Sequence, residues 1–114
     1  MPLLKIQTNI QVPVNQRSDL LTAASRATAT MLGKPEAYVM VTLEADVPML
    51  FAGTNAPLAY LELKSIGLPE DRTRDFSAKL TDMVEAHLRI PKNRIYVEFT
   101  SAAAHMWGWN GETF

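Results

Sequence analysis

The sequence predicts an α+β domain (α/β in its local connectivity): two tandem β-α-β units forming a four-stranded mixed sheet with two helices on one face. Three observations lead there. Strand-like and helix-like periods alternate along the 114 residues in the order strand, helix, strand, twice over. A shift of 56 positions superposes Leu32, Pro35, Val39, Val41 and Leu43 on Leu88, Pro91, Ile95, Val97 and Phe99, so the second half repeats the first. No Gly/Ser-rich or charge-run linker divides the chain, which makes residues 1–114 a single domain.

Each element has a local reason. Leu3 to Asn9 reads as the first strand. After Pro13 a helix runs from about Asn15 to Leu32, with Leu20, Ala24, Ala27 and Met31 on one face, until Gly33 and Pro35 stop it. Tyr38 to Ala45 is a second strand rich in Val and Leu; Pro48, Gly53 and Pro57 then mark an irregular connection. Leu58 to Lys64 is the third strand. Pro69, with Glu70 and Asp71 suited to the positive end of a helix dipole, opens a second helix whose inward line is Phe76, Leu80, Met83, Val84 and Leu88. His87 falls on that line as a partly buried structural residue. Pro91 ends the helix, and Arg94 to Thr100 is the fourth strand.

Right-handed crossovers between parallel strands place both helices on the same side of the sheet and leave its other face uncovered. The run Tyr38-Val39-Met40-Val41-Thr42-Leu43 is apolar on both faces for most of its length, so the sheet predicts self-association.

Composition narrows the function. A hydrophobic content of 47% and a net charge of −1 suit a packed core and offer no basic stripe for nucleic acid. With no cysteine in the chain, thiol nucleophiles, disulfides and cysteine metal sites are excluded. His87 and His105 lie far apart without ligand spacing, so no metal site is indicated. The N-terminus shows neither the basic-then-apolar pattern of a secretory signal nor a membrane span, which makes the cytoplasm the expected location, with no membrane partner.

Position 2 carries the chemistry. Removal of Met1 would turn Pro2 into a secondary amine at the start of a strand, able to accept and return protons where burial and a neighbouring positive charge lower its pKa. Met-Pro openings are also common without any such role. Further matching pieces are Thr8-Asn9; Gly33-Lys34-Pro35 with Tyr38; Ser65-Ile66-Gly67; Leu88-Arg89-Ile90 running into Arg94-Ile95-Tyr96; and Gly108-Trp109-Asn110. In this order and spacing the chain resembles the tautomerase superfamily, and within it the macrophage migration inhibitory factor and D-dopachrome tautomerase group, over nearly its whole length.

The resemblance implies a homotrimer whose sheets enclose a central barrel, with active sites between subunits. It implies keto–enol tautomerisation of a small aromatic 2-oxo acid such as phenylpyruvate. That reaction needs a base near its working pH, a cation for the carboxylate and a dry wall for the ring. By resemblance Pro2 is the base and then the acid, Lys34 holds the carboxylate and depresses the pKa of Pro2, and the Ile66 N–H serves an anionic oxygen. Tyr96 and Glu98 would reach the pocket from the neighbouring subunit, Tyr38 would be a further substrate-binding residue, and Trp107, Trp109 and Phe114 would line the pocket mouth. Simpler roles coexist with these. A lysine after a helix C-terminus complements the dipole, and strand or terminal aromatics serve packing.

Three departures from the group's pattern matter. Pro57-Leu58-Ala59-Tyr60-Leu61 replaces the animal cytokine's Cys-x-x-Cys, so thiol–disulfide activity does not carry over. Glu98 stands where that protein has asparagine, an acceptor-only charge in place of a neutral donor and acceptor. A retained Met1 would make the Pro2 nitrogen an amide. The alternative reading is a cytokine-like signalling protein with a vestigial pocket; proline-based decarboxylation or dehalogenation would need further charged residues around Pro2.

Overall fold

Alternation decides which face each strand buries. In β1 (Leu3–Thr8), Leu4, Ile6 and Thr8 are buried, and in β3 (Ala59–Ile66) Ala59, Leu61, Leu63 and Ser65 are. Their neighbours point the other way. The computed structural model describes residues 1–114, adding α1 (Val14–Leu32), β2 (Met40–Glu44), α2 (Thr73–Leu88), β4 (Ile95–Ala102) and a C-terminal hairpin of β5 (Gly108–Trp109) and β6 (Glu112–Thr113). Single 3-10 turns cover Glu36–Tyr38, Glu70–Arg72, Lys92–Arg94 and Ala104–Met106.

The main sheet has the order β2-β1-β3-β4, with β1 parallel to β2, β3 parallel to β4, and an antiparallel seam between β1 and β3. Each parallel pair is one β-α-β unit. The predicted mixed sheet is therefore present, and α1 and α2 share a core with it: Leu20, Ala24 and Met31 pack with Phe76, Leu80, Val84 and Leu88 over Leu4, Ile6, Leu61 and Leu63. Burial of a side chain such as Phe76, fully enclosed, contributes roughly 1.5–3 kcal/mol.

Several expectations need correction. Thr28, not Ala27, is the fully buried residue between Ala24 and Met31 on α1, at four residues from the one and three from the other, while Ala27 is half-buried. His87 is exposed; its Nδ1 lies 2.9 Å from the Met83 carbonyl, one turn back on the outer side of α2. Tyr38 belongs to a 3-10 turn, and β2 begins two residues later. Glu70 and Asp71 likewise form a turn ahead of α2 rather than its first residues. No helix is long and apolar enough to cross a membrane.

The uncovered face is not the apolar surface that strand two implied. Register puts Met40, Thr42 and Glu44 on it beside Leu3, Lys5 and Gln7, while Val41 and Leu43 turn toward the helices. Across it Lys5 lies 3.5 Å from Glu44, Lys64 lies 3.6 Å from Glu62, and Gln7 donates to Glu44 at 2.8 Å. Between Leu3 and Met40 at one end and Tyr60 and Tyr96 at the other, this face is a polar lattice.

Candidate active site

The end of α1 is built to present a lysine. Gly33 takes a left-handed conformation (φ 61°), and the N–H groups of Gly33 and Lys34 close back on the Thr30 and Ala29 carbonyls. Pro35 then forbids further helix. Half-buried Lys34 leaves this turn, and its Nζ donates to the Ile66 carbonyl at 3.4 Å, joining the end of α1 to the end of β3.

Between these elements lies the chain's beginning. Pro2 is buried; its carbonyl accepts from Met40 N–H at 3.0 Å, which extends the β1–β2 pairing to the first residues. The Met1 α-amine is held below its ordinary value of 8.0, first by burial and then by the charge of Lys34. Lys34 thus stands close enough to the chain terminus to act on its charge.

Met1, Pro2 and Leu3 form one side of a mainly apolar hollow of about 430 Å³, closed by Tyr38, Val39, Met40, Trp107, Trp109 and Phe114. The C-terminal hairpin supplies its aromatic wall. Asn110 (φ 54°) and Gly111 (φ 77°) form the two-residue turn that folds β6 back on β5, and Phe114 N–H then donates to the Trp107 carbonyl at 3.2 Å. Trp109 and Phe114 stack with centroids 5.8 Å apart, and the Tyr38 ring meets them edge-on at 5.7 and 6.4 Å. A buried chain end, a lysine and a wall of aromatic rings converge here.

Residues 1–114 match the family described as macrophage migration inhibitory factor. The chain belongs to the macrophage migration inhibitory factor family. Among relatives, the homologue from Trichinella spiralis is 40% identical over 115 residues, covering 100% of both chains. The Mus musculus protein is 35% identical over 118 residues, covering 100% of this chain and 99% of its own. The crystal structure of the homologue from Prochlorococcus marinus superposes with a TM-score of 0.92 at 43% identity, covering 98% of each chain. As a macrophage migration inhibitory factor family member, the chain falls within the tautomerase superfamily.

In this family member the hollow gathers Pro2, Tyr38, Trp107, Trp109 and Phe114; Lys34 and Ile66 are not in its lining, but are bonded to each other, with Lys34 near enough to act on the Met1 charge. Tyr96 and Glu98 lie elsewhere. Leu3 is opposite Lys64 and Tyr96 opposite Tyr60, so Tyr96 stands four β3 residues from the N-terminal end, about 13 Å along the strand. Within one protomer these two residues are outside the Pro2 hollow. Tyr96 instead packs on Phe51 (4.6 Å), beside a second apolar hollow of about 420 Å³ formed with Met49, Leu50, Leu58, Ala59 and Tyr60. Glu98 accepts from the Tyr60 hydroxyl at 2.8 Å. Glu98, then burial and Glu62, raise the Tyr60 pKa well above the ordinary phenol range.

Val39 and Met40 were missed as lining residues because a strand reading assigns them only to the sheet. The hairpin was missed too, although its signal, Asn110-Gly111 between aromatic residues, is present in the sequence. Arg94, the expected first residue of the fourth strand, lies instead in the 3-10 turn before β4. Its guanidinium donates to the carbonyls of Phe51 (2.7 Å), Thr54 (3.2 Å) and Ala56 (2.9 Å), and lies 5.1 Å over the Phe51 ring, fixing the long connection before β3.

Proposed function

We propose that the protein is a cofactor-independent keto–enol tautomerase for phenylpyruvate-like 2-oxo acids, with the Pro2 nitrogen, freed by removal of Met1, as general base and acid. The observation carrying this reading is the environment of the chain end, where burial and Lys34 already depress the Met1 amine. Both influences act one residue further on when Pro2 becomes the terminus, and both favour a neutral amine that can accept a proton.

The remaining groups fit the substrate's parts. Lys34 offers a cation to the carboxylate, and the Ile66 N–H a donor to an oxygen that becomes anionic in the enol form. The wall of Tyr38, Trp109 and Phe114 receives the aryl ring and excludes water. A neutral Pro2 nitrogen removes a proton from the carbon beside the ketone, the oxygen takes one up, and the reverse transfer returns the keto acid.

Assembly as a homotrimer completes the site in this proposal. Each protomer exposes Tyr96 and Leu50 at one hollow and Met40 and Trp109 at the other, a pairing suited to a head-to-tail ring. Tyr96 and Glu98 then reach a neighbour's pocket. The Tyr60 hydroxyl already bonded to Glu98 competes with a substrate hydroxyl for that carboxylate.

The test is phenylpyruvate tautomerisation by protein lacking Met1, beside a form retaining Met1 and a Pro2→Gly variant. Both altered forms are expected to lose about 100- to 10,000-fold in rate, the usual contribution of a positioned acid–base group. Full activity with Met1 in place rules out the Pro2 base. A second reading, a cytokine-like binding protein with a vestigial pocket, is favoured by the relatives' names, which denote inhibition of macrophage migration, and by the exposed Trp109 and Met106. Folded, Met1-free protein without tautomerase activity that still arrests macrophages would select it.

A further inference from the structure

We propose that Asn110-Gly111, the tip of the C-terminal hairpin, is a self-modification site at which the asparagine converts to isoaspartate and aspartate. The chain has five asparagines, and only Asn110 precedes a glycine, whose missing side chain leaves its backbone nitrogen unshielded. A Cβ built at Gly111 would meet nothing within 4 Å, and both residues are exposed. The Gly111 N–H takes part in no backbone hydrogen bond. Asn9 shows the contrast: its Nδ2 donates to the Asn55 carbonyl at 2.9 Å and its Oδ1 accepts from Leu58 N–H at 3.0 Å, which holds its amide in place.

The step is balanced without any oxidant or cofactor. The Gly111 nitrogen attacks Asn110 Cγ, the new C–N bond closes a succinimide ring, and the Cγ–Nδ2 bond breaks. The proton lost from Gly111 leaves with Nδ2 as ammonia. Water then opens the ring, returning a proton to the nitrogen. Opening at Cγ gives aspartate, and opening at the main-chain carbonyl gives isoaspartate. Attack requires the turn to leave its resting geometry, and the ladder behind it is short: β5 and β6 share only the pairs Gly108↔Thr113 and Trp109↔Glu112, closed by the Phe114 N–H on the Trp107 carbonyl.

The position gives the change a consequence. Isoaspartate inserts a methylene into the main chain of a two-residue turn and removes the register that brings Trp109 and Phe114 together. The stacked pair and its edge contacts to Tyr38 are the aromatic wall of the Pro2 hollow, so conversion loosens that wall. Its effect on a bound aryl acid rests on the proposed function; the chemical step does not.

Ageing of the full chain in mildly alkaline buffer, followed by trypsin and mass spectrometry, tests the proposal on the peptide from Ile95 to Phe114. That peptide is expected to gain one mass unit and accept isoaspartyl methyl transfer, ahead of peptides carrying the other four asparagines. Emission from the two tryptophans is expected to shift to the red as the stack dissolves. Asn110→Gly keeps a turn of positive φ and is expected to age unchanged. An unmodified Asn110, or earlier conversion of another asparagine, overturns the site. Isoaspartate at 110 with unaltered emission overturns the loosened wall. Protein that ages as expected but lacks tautomerase activity even when fresh counts against the proposed function instead.

Discussion

Pro2 differs from every other proline of the chain in standing one peptide bond from an amine. With Met1 attached its nitrogen is an amide, and the group that titrates in the pocket is the Met1 amine, shifted downward by burial and by Lys34. Once Pro2 is the terminus, the same causes keep its nitrogen neutral to lower pH, and the rate falls only as acid protonates it. Lys34→Ala separates the lysine's two proposed contributions. Loss of the carboxylate contact is expected to raise KM about 10- to 100-fold, the worth of one charge-assisted hydrogen bond. Loss of the repulsion raises the nitrogen's pKa, so the acid limb of the pH–rate profile is expected to move to higher pH. A raised KM with an unmoved limb assigns Lys34 to binding alone.

Among the elements, α1 carries an evident cost: the Thr28 hydroxyl is enclosed in the core and has no hydrogen-bond partner. Valine has nearly the same shape without the hydroxyl, so Thr28→Val is expected to stabilise the fold by about 1 kcal/mol. A thermal midpoint raised by roughly 4 °C checks it. Failure to rise means that the hydroxyl finds a partner. The same element shows what the sequence makes legible. Gly33 and Pro35 fix the end of α1 through local backbone chemistry, so the placement of Lys34 followed directly. Thr28 did not, since a polar residue on a helix gives no local sign that tertiary packing will enclose it. The face assignment of β2 failed for a related reason: in an apolar run only the register against β1, a nonlocal fact, decides that Val41 and Leu43 face the helices.

For the molecule as a whole, the mixed sheet was legible because the two halves repeat, whereas gathering the site required knowing where distant segments meet. Pro2, Lys34, Ile66 and the hairpin come from four separate stretches, and only the family resemblance joined them in advance. Tyr96 marks the limit of a single protomer, since the sheet holds it at the wrong end for Pro2. The proposed trimer is therefore expected in sedimentation equilibrium at assay concentrations, and an active monomer would exclude a pocket shared between subunits. The tandem register has a further consequence. Leu4 pairs with Val41 as Leu61 pairs with Val97, so the first strands of the halves are related by a shift of 57 rather than 56. Under that relation Met1, Pro2, Leu3 and Met40 of one hollow correspond to Leu58, Ala59, Tyr60 and Tyr96 of the other. The fold thus makes the same kind of hollow in each half, yet a polypeptide has one beginning. Ala59 sits where Pro2 sits, but peptide bonds on both sides deprive it of a basic nitrogen whatever residue occupies the place. The repeat reproduces the cradle but not the terminus.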